Sequence, residues 1–109
     1  GPYTFILPSL KLHKPFEKRK SIGIRMAQHP IVVALMDLLK APLITTSLHD
    51  QDEILDYTTD PDVIYERWES SIDLMLEDGF GGNIPSTVVD LCGSTIEIIR
   101  EGKGDLELL

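Results

Sequence analysis

Ser21-Ile22-Gly23-Ile24-Arg25-Met26-Ala27-Gln28-His29-Pro30 changes character halfway along its length. In its first half Ser21, Gly23 and Arg25 alternate with Ile22 and Ile24. A period of two with one apolar set predicts a short strand with one buried face. In its second half Pro30 opens the apolar run Ile31 to Leu39. Proline suits a first helical turn, where its missing N–H costs nothing. The run predicts a largely buried helix of about ten residues, preceded by His29 in either a capping or packing role or a ligand role. Arg25 therefore falls where a strand ends and a helix begins. Ligands of open α/β sheets collect outside the carboxyl ends of strands. A guanidinium there can grip a carboxylate or phosphate with two parallel hydrogen bonds.

Working outward, Tyr3 to Leu7 is aromatic and branched, a strand signal that stops at Pro8. Residues 8–20 form a loop carrying Lys11, Lys14, Lys18, Arg19 and Lys20. That loop is either a solvated connection or a contact for phosphate or RNA. Downstream, Ala41-Pro42 breaks the helix. Residues 43–48 read as a strand that ends on the hydroxyls Thr45, Thr46 and Ser47. Hydroxyls donate and accept, which suits phosphate oxygens and amino-acid head groups. Residues 49–60 form an acidic loop whose spacing fits no EF-hand. Asp60-Pro61 with Asp62 predicts a capped helix running through Trp68. Residues 72–76 alternate like a strand, and residues 78–83 are glycine-rich without the pattern of a phosphate-binding loop.

Residues 85–91 and 95–100 read as the two arms of a hairpin turned at Gly93-Ser94. Ser86 starts one arm and Arg100 ends the other, so both fall at one end. Residues 101–105 read as a flexible tail.

The chain has 109 residues, one domain or part of one. Its net charge of −8 is unevenly spread: residues 1–40 hold seven basic and two acidic residues, net +5. Residues 41–109 hold three basic and sixteen acidic residues, net −13. A basic patch on an acidic chain points to a local anionic partner rather than bulk nucleic-acid binding. Cys92 stands alone, so no internal disulfide forms and no zinc site is read. No run is long enough to cross a bilayer and no signal peptide opens the chain, so a cytoplasmic setting is the expectation. No nucleophile–base arrangement is evident. The residues thus predict an α/β sheet with Ser21, Arg25, Thr45, Ser47, Ser86 and Arg100 at strand ends, suited to an anionic ligand.

The segments Gly1-Pro2-Tyr3-Thr4-Phe5-Ile6-Leu7, Ser21-Ile22-Gly23-Ile24-Arg25 with His29-Pro30, Thr45-Thr46-Ser47, Pro85-Ser86-Thr87-Val88-Val89-Asp90 and Arg100-Glu101-Gly102 occur in one ordered set. In that order and spacing the chain resembles the YrdC/YciO family over essentially its whole length. The resemblance implies a YrdC-like α/β fold, a twisted mixed sheet with flanking helices around a positively charged cleft. Best understood in that family are threonylcarbamoyl-AMP synthases, nucleotidyltransferases that join L-threonine, bicarbonate and ATP and release pyrophosphate. Their product feeds the threonylcarbamoyladenosine modification of tRNA. The family has also been described as binding double-stranded RNA.

Carried over by position, the resemblance puts Arg25, Thr45 and Ser86 at threonine contacts, and Ser21, Ser47 and Arg100 at ATP contacts. Mg²⁺ is implied on the triphosphate, with no metal site of the protein's own. An RNA-binding role without catalysis would fall to Lys14, Lys18, Arg19 and Lys20. The family's usual Ser-Thr-Ser-Ala-Asn is here Thr45-Thr46-Ser47-Leu48-His49, which resembles the YciO branch. The family is also about twice this length. Residues 1–109 therefore look like the C-terminal part of a YrdC-like domain. By itself such a piece is expected to be inactive and to expose sheet edge and apolar surface that invite self-association.

Overall fold

The computed structural model describes the chain apart from Leu10, His13, Pro15 and residues 50–57, where most of the acidic loop lies. The described residues form two units, Gly1–Leu43 with Ile84–Leu109, and Ile44–Asn83. In the first unit the aromatic and branched residues at the start of the chain make β1 (Tyr3–Pro8), and the alternating segment makes β2 (Ser21–Ile24). The hairpin arms make β3 (Thr87–Asp90) and β4 (Glu97–Arg100). They form one mixed sheet in the order β2-β1-β3-β4. β1 pairs antiparallel with β2 and parallel with β3, while β3 and β4 are antiparallel with a bulge at Val88/Val89. The α/β class and the mixed sheet agree with the sequence reading.

The register sorts the side chains onto two faces. Phe5 pairs with Ile24 and Val89, and Val89 with Ile98, so these apolar residues share one face. Thr4 pairs with Val88 and Val88 with Arg100, and Pro8 pairs with Ser21. Those residues share the other face, with Ser86 in phase two residues before Val88. The core lies under β3, where Val89 and Thr87 have no exposed surface and Ser86 keeps 5%.

Three expectations for this unit are corrected: β2 forms, but its apolar face is not buried, Ile22 being 37% and Ile24 44% exposed, and the other two concern the helix and the end of the chain. The predicted helix forms as α1 (Pro30–Leu39), with Pro30 in its first turn and His29 as N-cap, but none of its residues is buried. Ile31, Val32, Leu35 and Met36 are half-buried, whereas Leu38 is 81% exposed and Leu39 57% exposed. A helix apolar all round is buried only where both faces are covered, and here one face is not. Nor is 101–105 a loose tail. Thr87 Oγ1 accepts from Gly102 N at 3.0 Å and Gly104 N at 2.8 Å and donates to Gly104 O at 2.8 Å. Lys103 N donates to Pro85 O at 2.9 Å, and Tyr3 Oη donates to Asp105 O at 2.7 Å. The glycines make this strap possible. A Cβ at Gly104 would strike the Tyr3 ring, and one at Gly102 would lie 2.8 Å from Ser86 O.

In the second unit α2 (Pro61–Trp68) forms as predicted, with Asp60 Oδ1 accepting from Asp62 N at 3.0 Å. The glycine-rich segment turns at Gly79, φ +76°, whose N–H donates to Glu77 Oε1 at 2.6 Å. The strands expected at 43–48 and 72–76 do not form. Branched residues favour a strand only against a partner strand, and among its described residues this unit holds none.

Candidate functional site

The hairpin brings Ser86 and Arg100 into contact, as the sequence predicts. Arg100 Nε and Nη2 donate to Ser86 O at 3.2 and 2.9 Å, and Nη2 reaches Ser86 Oγ at 3.4 Å. This two-pronged grip anchors the half-buried guanidinium on the chain that carries the serine. The sequence reading did not single out Thr4, yet its Oγ1 lies 2.8 Å from Ser86 Oγ. β1 and β3 run parallel there, so residues 82 positions apart meet. The available signal was phase: Thr4 is the polar residue that breaks an otherwise apolar strand.

Arg25 lies just past β2, where its Nε donates to Gly1 O at 3.0 Å, and the Gly1 amino group donates to Met26 O. Thr87 N donates to Pro2 O at 2.9 Å. Gly1 and Pro2 thus link Arg25 to the Ser86–Thr87 end of β3. Arg25 and Arg100 sit at one end of the sheet, on opposite edges. Three strand spacings separate those edges, about 14 Å. With Thr4 and the buried Ser86 between them, this sheet end carries two guanidiniums and two hydroxyls.

Ser21 pairs with Pro8, at the opposite end of β2 and about 13 Å along the strand from Arg25. Thr45 and Ser47 are exposed hydroxyls of the second unit, in irregular chain rather than at the end of a strand. Lys14, Lys18, Arg19 and Lys20 are exposed on the loop joining β1 to β2. Ser9 N closes that loop by donating to Lys20 O at 2.9 Å. The loop stands at the end of the sheet remote from Arg25 and Arg100.

Two other features carry chemistry of a different kind. A hollow of about 490 Å³ in the second unit is lined by Pro61, Asp62, Tyr65, Glu66, Met75 and Glu77. Its carboxylates repel an anionic ligand. Asp90 Oδ1 accepts from Cys92 N at 2.7 Å. Desolvation, then the hydrogen bond and charge of Asp90, push the Cys92 thiol above its usual range. The thiol is therefore a poor nucleophile at neutral pH. Among the described residues no group of three His, Cys, Asp or Glu side chains is placed to hold a metal ion. No described helix is long and apolar enough to cross a membrane.

A family model named Sua5_yciO_yrdC and described as "Telomere recombination" matches residues 1–102. The chain is 40% identical over 111 residues to "Uncharacterized protein YciO" of Escherichia coli strain K12, covering 98% of this chain and 53% of that protein. It is 37% identical over 107 residues to an "Uncharacterized protein" of Haemophilus influenzae, covering 95% and 52%. The crystal structure of Escherichia coli YciO superposes with a TM-score of 0.82 over 98% of this chain and 53% of that one. The chain thus spans about half the length of the curated relatives it matches. Its similarity to YciO agrees with the branch read from Thr45 to His49.

Proposed function

The chain belongs to the Sua5/YciO/YrdC family, and on that premise we propose that it forms part of an ATP- and L-threonine-binding protein of the threonylcarbamoyl-AMP synthase kind. The observation that carries the proposal is the sheet end at which Arg25, Thr4, Ser86 and Arg100 assemble. Guanidiniums only donate, so such a set favours carboxylate and phosphoryl oxygens. In this reading Arg25 and Ser86 hold L-threonine and Arg100 holds ATP. The residues act by positioning the reactants and offsetting charge, with no protein nucleophile. The donor set fits phosphate oxygens and offers no carboxylate cage for Mg²⁺, so the cation would arrive on the triphosphate, where it neutralises charge. Joining bicarbonate to threonine, releasing pyrophosphate and serving tRNA modification in the cytoplasm belong to the proposal for the whole protein.

Titration calorimetry with ATP and with L-threonine tests the reading. The parent chain should bind, and Arg25→Ala should weaken threonine at least tenfold. A parent chain that takes up neither ligand ends the case.

A second reading, binding of double-stranded RNA, draws support from the closed, exposed basic loop Lys14, Lys18, Arg19 and Lys20. Neutralising Lys18, Arg19 and Lys20 should then flatten the salt dependence of RNA binding, by about 0.9 in log–log slope for each phosphate no longer neutralised. An unchanged slope rejects it.

A further inference from the structure

We infer that Thr4 is a ligand-binding residue: the end of a hydrogen-bond relay, Arg100 to Ser86 to Thr4, that presents a hydroxyl proton to an oxygen acceptor. The inference rests on the proposed ATP- and threonine-binding reading only for the identity of that ligand. Three polar groups meet here. Thr4 Oγ1 is 2.8 Å from Ser86 Oγ, and Arg100 Nη2 is 3.4 Å from the same oxygen.

Counting protons decides what the cluster lacks. A guanidinium has donors and no lone pair to offer, and each hydroxyl has one proton and two acceptor sites. Arg100 therefore donates into Ser86 Oγ. Only one proton can lie between the two hydroxyl oxygens. The other hydroxyl proton has no acceptor among the described residues, whichever way the pair is polarised. Thr4 is half-buried, so water takes that proton in the free chain, and a carboxylate or phosphoryl oxygen can replace the water.

Two observations choose which hydroxyl faces the ligand. Ser86 keeps 5% of its surface, whereas Thr4 is only half-buried. A hydroxyl that accepts from a cation also becomes a stronger donor, so bonds running in one direction reinforce one another. Both place the spare proton on Thr4, with Ser86 as the buried link. Thr4 lies on the same face as Val88 and Arg100 and at the sheet end shared with Arg25. An acceptor bound there lies at the sheet end that carries both guanidiniums.

The test uses the full chain with Thr4→Val, which exchanges the hydroxyl for a methyl and keeps a branched strand residue, and Thr4→Ser, which keeps the hydroxyl. Calorimetry with L-threonine and with ATP should show Thr4→Val binding one of them about tenfold more weakly, and Thr4→Ser within about threefold of the parent. A Thr4→Val chain that binds both as tightly as the parent overturns the inference and leaves the functional proposal standing. Three-bond couplings at Ser86, read by NMR without ligand, supply an independent measure. The serine should hold one rotamer in the parent and in Thr4→Ser and average among rotamers in Thr4→Val. If the parent binds neither ligand, the functional proposal falls and the couplings decide alone: a Ser86 as fixed in Thr4→Val as in the parent refutes the relay.

Discussion

Thr87→Val should unfold much of what the hairpin organises, because one oxygen atom ties down the chain that follows β4. Thr87 has no exposed surface, and its Oγ1 serves three backbone groups: Gly102 N, Gly104 N and Gly104 O. Valine matches threonine in shape, so the substitution opens no cavity and isolates the loss of hydrogen bonding. Gly104 is buried, so its stranded N–H and C=O each cost about 1–3 kcal/mol. Gly102 is half-buried and its N–H can partly rehydrate, adding about 0.5–1 kcal/mol. The total, about 2.5–7 kcal/mol, is a large fraction of the ~5–15 kcal/mol by which a domain is stable. Urea unfolding followed by circular dichroism should show the midpoint falling by about 2 M, with trypsin cutting at Lys103 in the variant before the sheet is lost. Thr87→Ser keeps the hydroxyl and removes one methyl, so it should lose only about 1 kcal/mol. A Thr87→Val midpoint within about 0.5 M of the parent would refute the account of the strap.

Three further outcomes are expected. Lys40 ends α1 with φ 52°, a left-handed conformation that disfavours side chains, and its 4.0 Å pair with Asp37 is exposed and weak. Lys40→Gly should therefore gain about 0.5–1 kcal/mol and raise the melting temperature by several degrees; a lower value counts against the strain argument. The raised pKa of Cys92 means that the unfolded chain loses the thiol proton first. This group's contribution is accordingly intact below the usual thiol range, near pH 8.5, and is lost as pH rises through the raised value. Iodoacetamide should label the folded chain slowly at pH 8, and Asp90→Asn should shift the labelling profile to lower pH; an unmoved profile rejects the role given to Asp90. Finally, β2 and β4 are sheet edges on which Ile24 is 44% exposed and Ile99 56% exposed. Sedimentation should then show concentration-dependent self-association that Ile24→Lys reduces, and a strictly monomeric parent contradicts it.

What the sequence disclosed follows the range of the interactions involved. The strands at 3–8 and 21–24 and the capped helix at 61–68 rest on neighbours a few residues away, and alternation and Asp60-Pro61 expose them directly. Ser86 and Arg100 were legible together because a hairpin is itself a local object. The segments 43–48 and 72–76 misled because branched residues advertise a strand without supplying its partner. Gly102 and Gly104 misled in the opposite sense. Missing side chains read as freedom, whereas here they let backbone press against Ser86 and the Tyr3 ring.

The hidden part of the site depends on one pairing, the parallel register of Tyr3 with Thr87 and Thr4 with Val88. No local pattern encodes it, since a parallel neighbour arrives only after a long excursion of the chain. Yet that register carries Thr4 to Ser86, brings Gly1 and Pro2 between Arg25 and β3, and so places two basic positions far apart in sequence at one end of the sheet. A one-residue slip of β1 against β3 would turn Thr4 to the apolar face and leave Arg100 gripping Ser86 with no hydroxyl to pass the proton to. The geometry of the site is thus a property of the pairing rather than of either strand. For that reason residue types alone could nominate Ser86 and Arg100 but not Thr4.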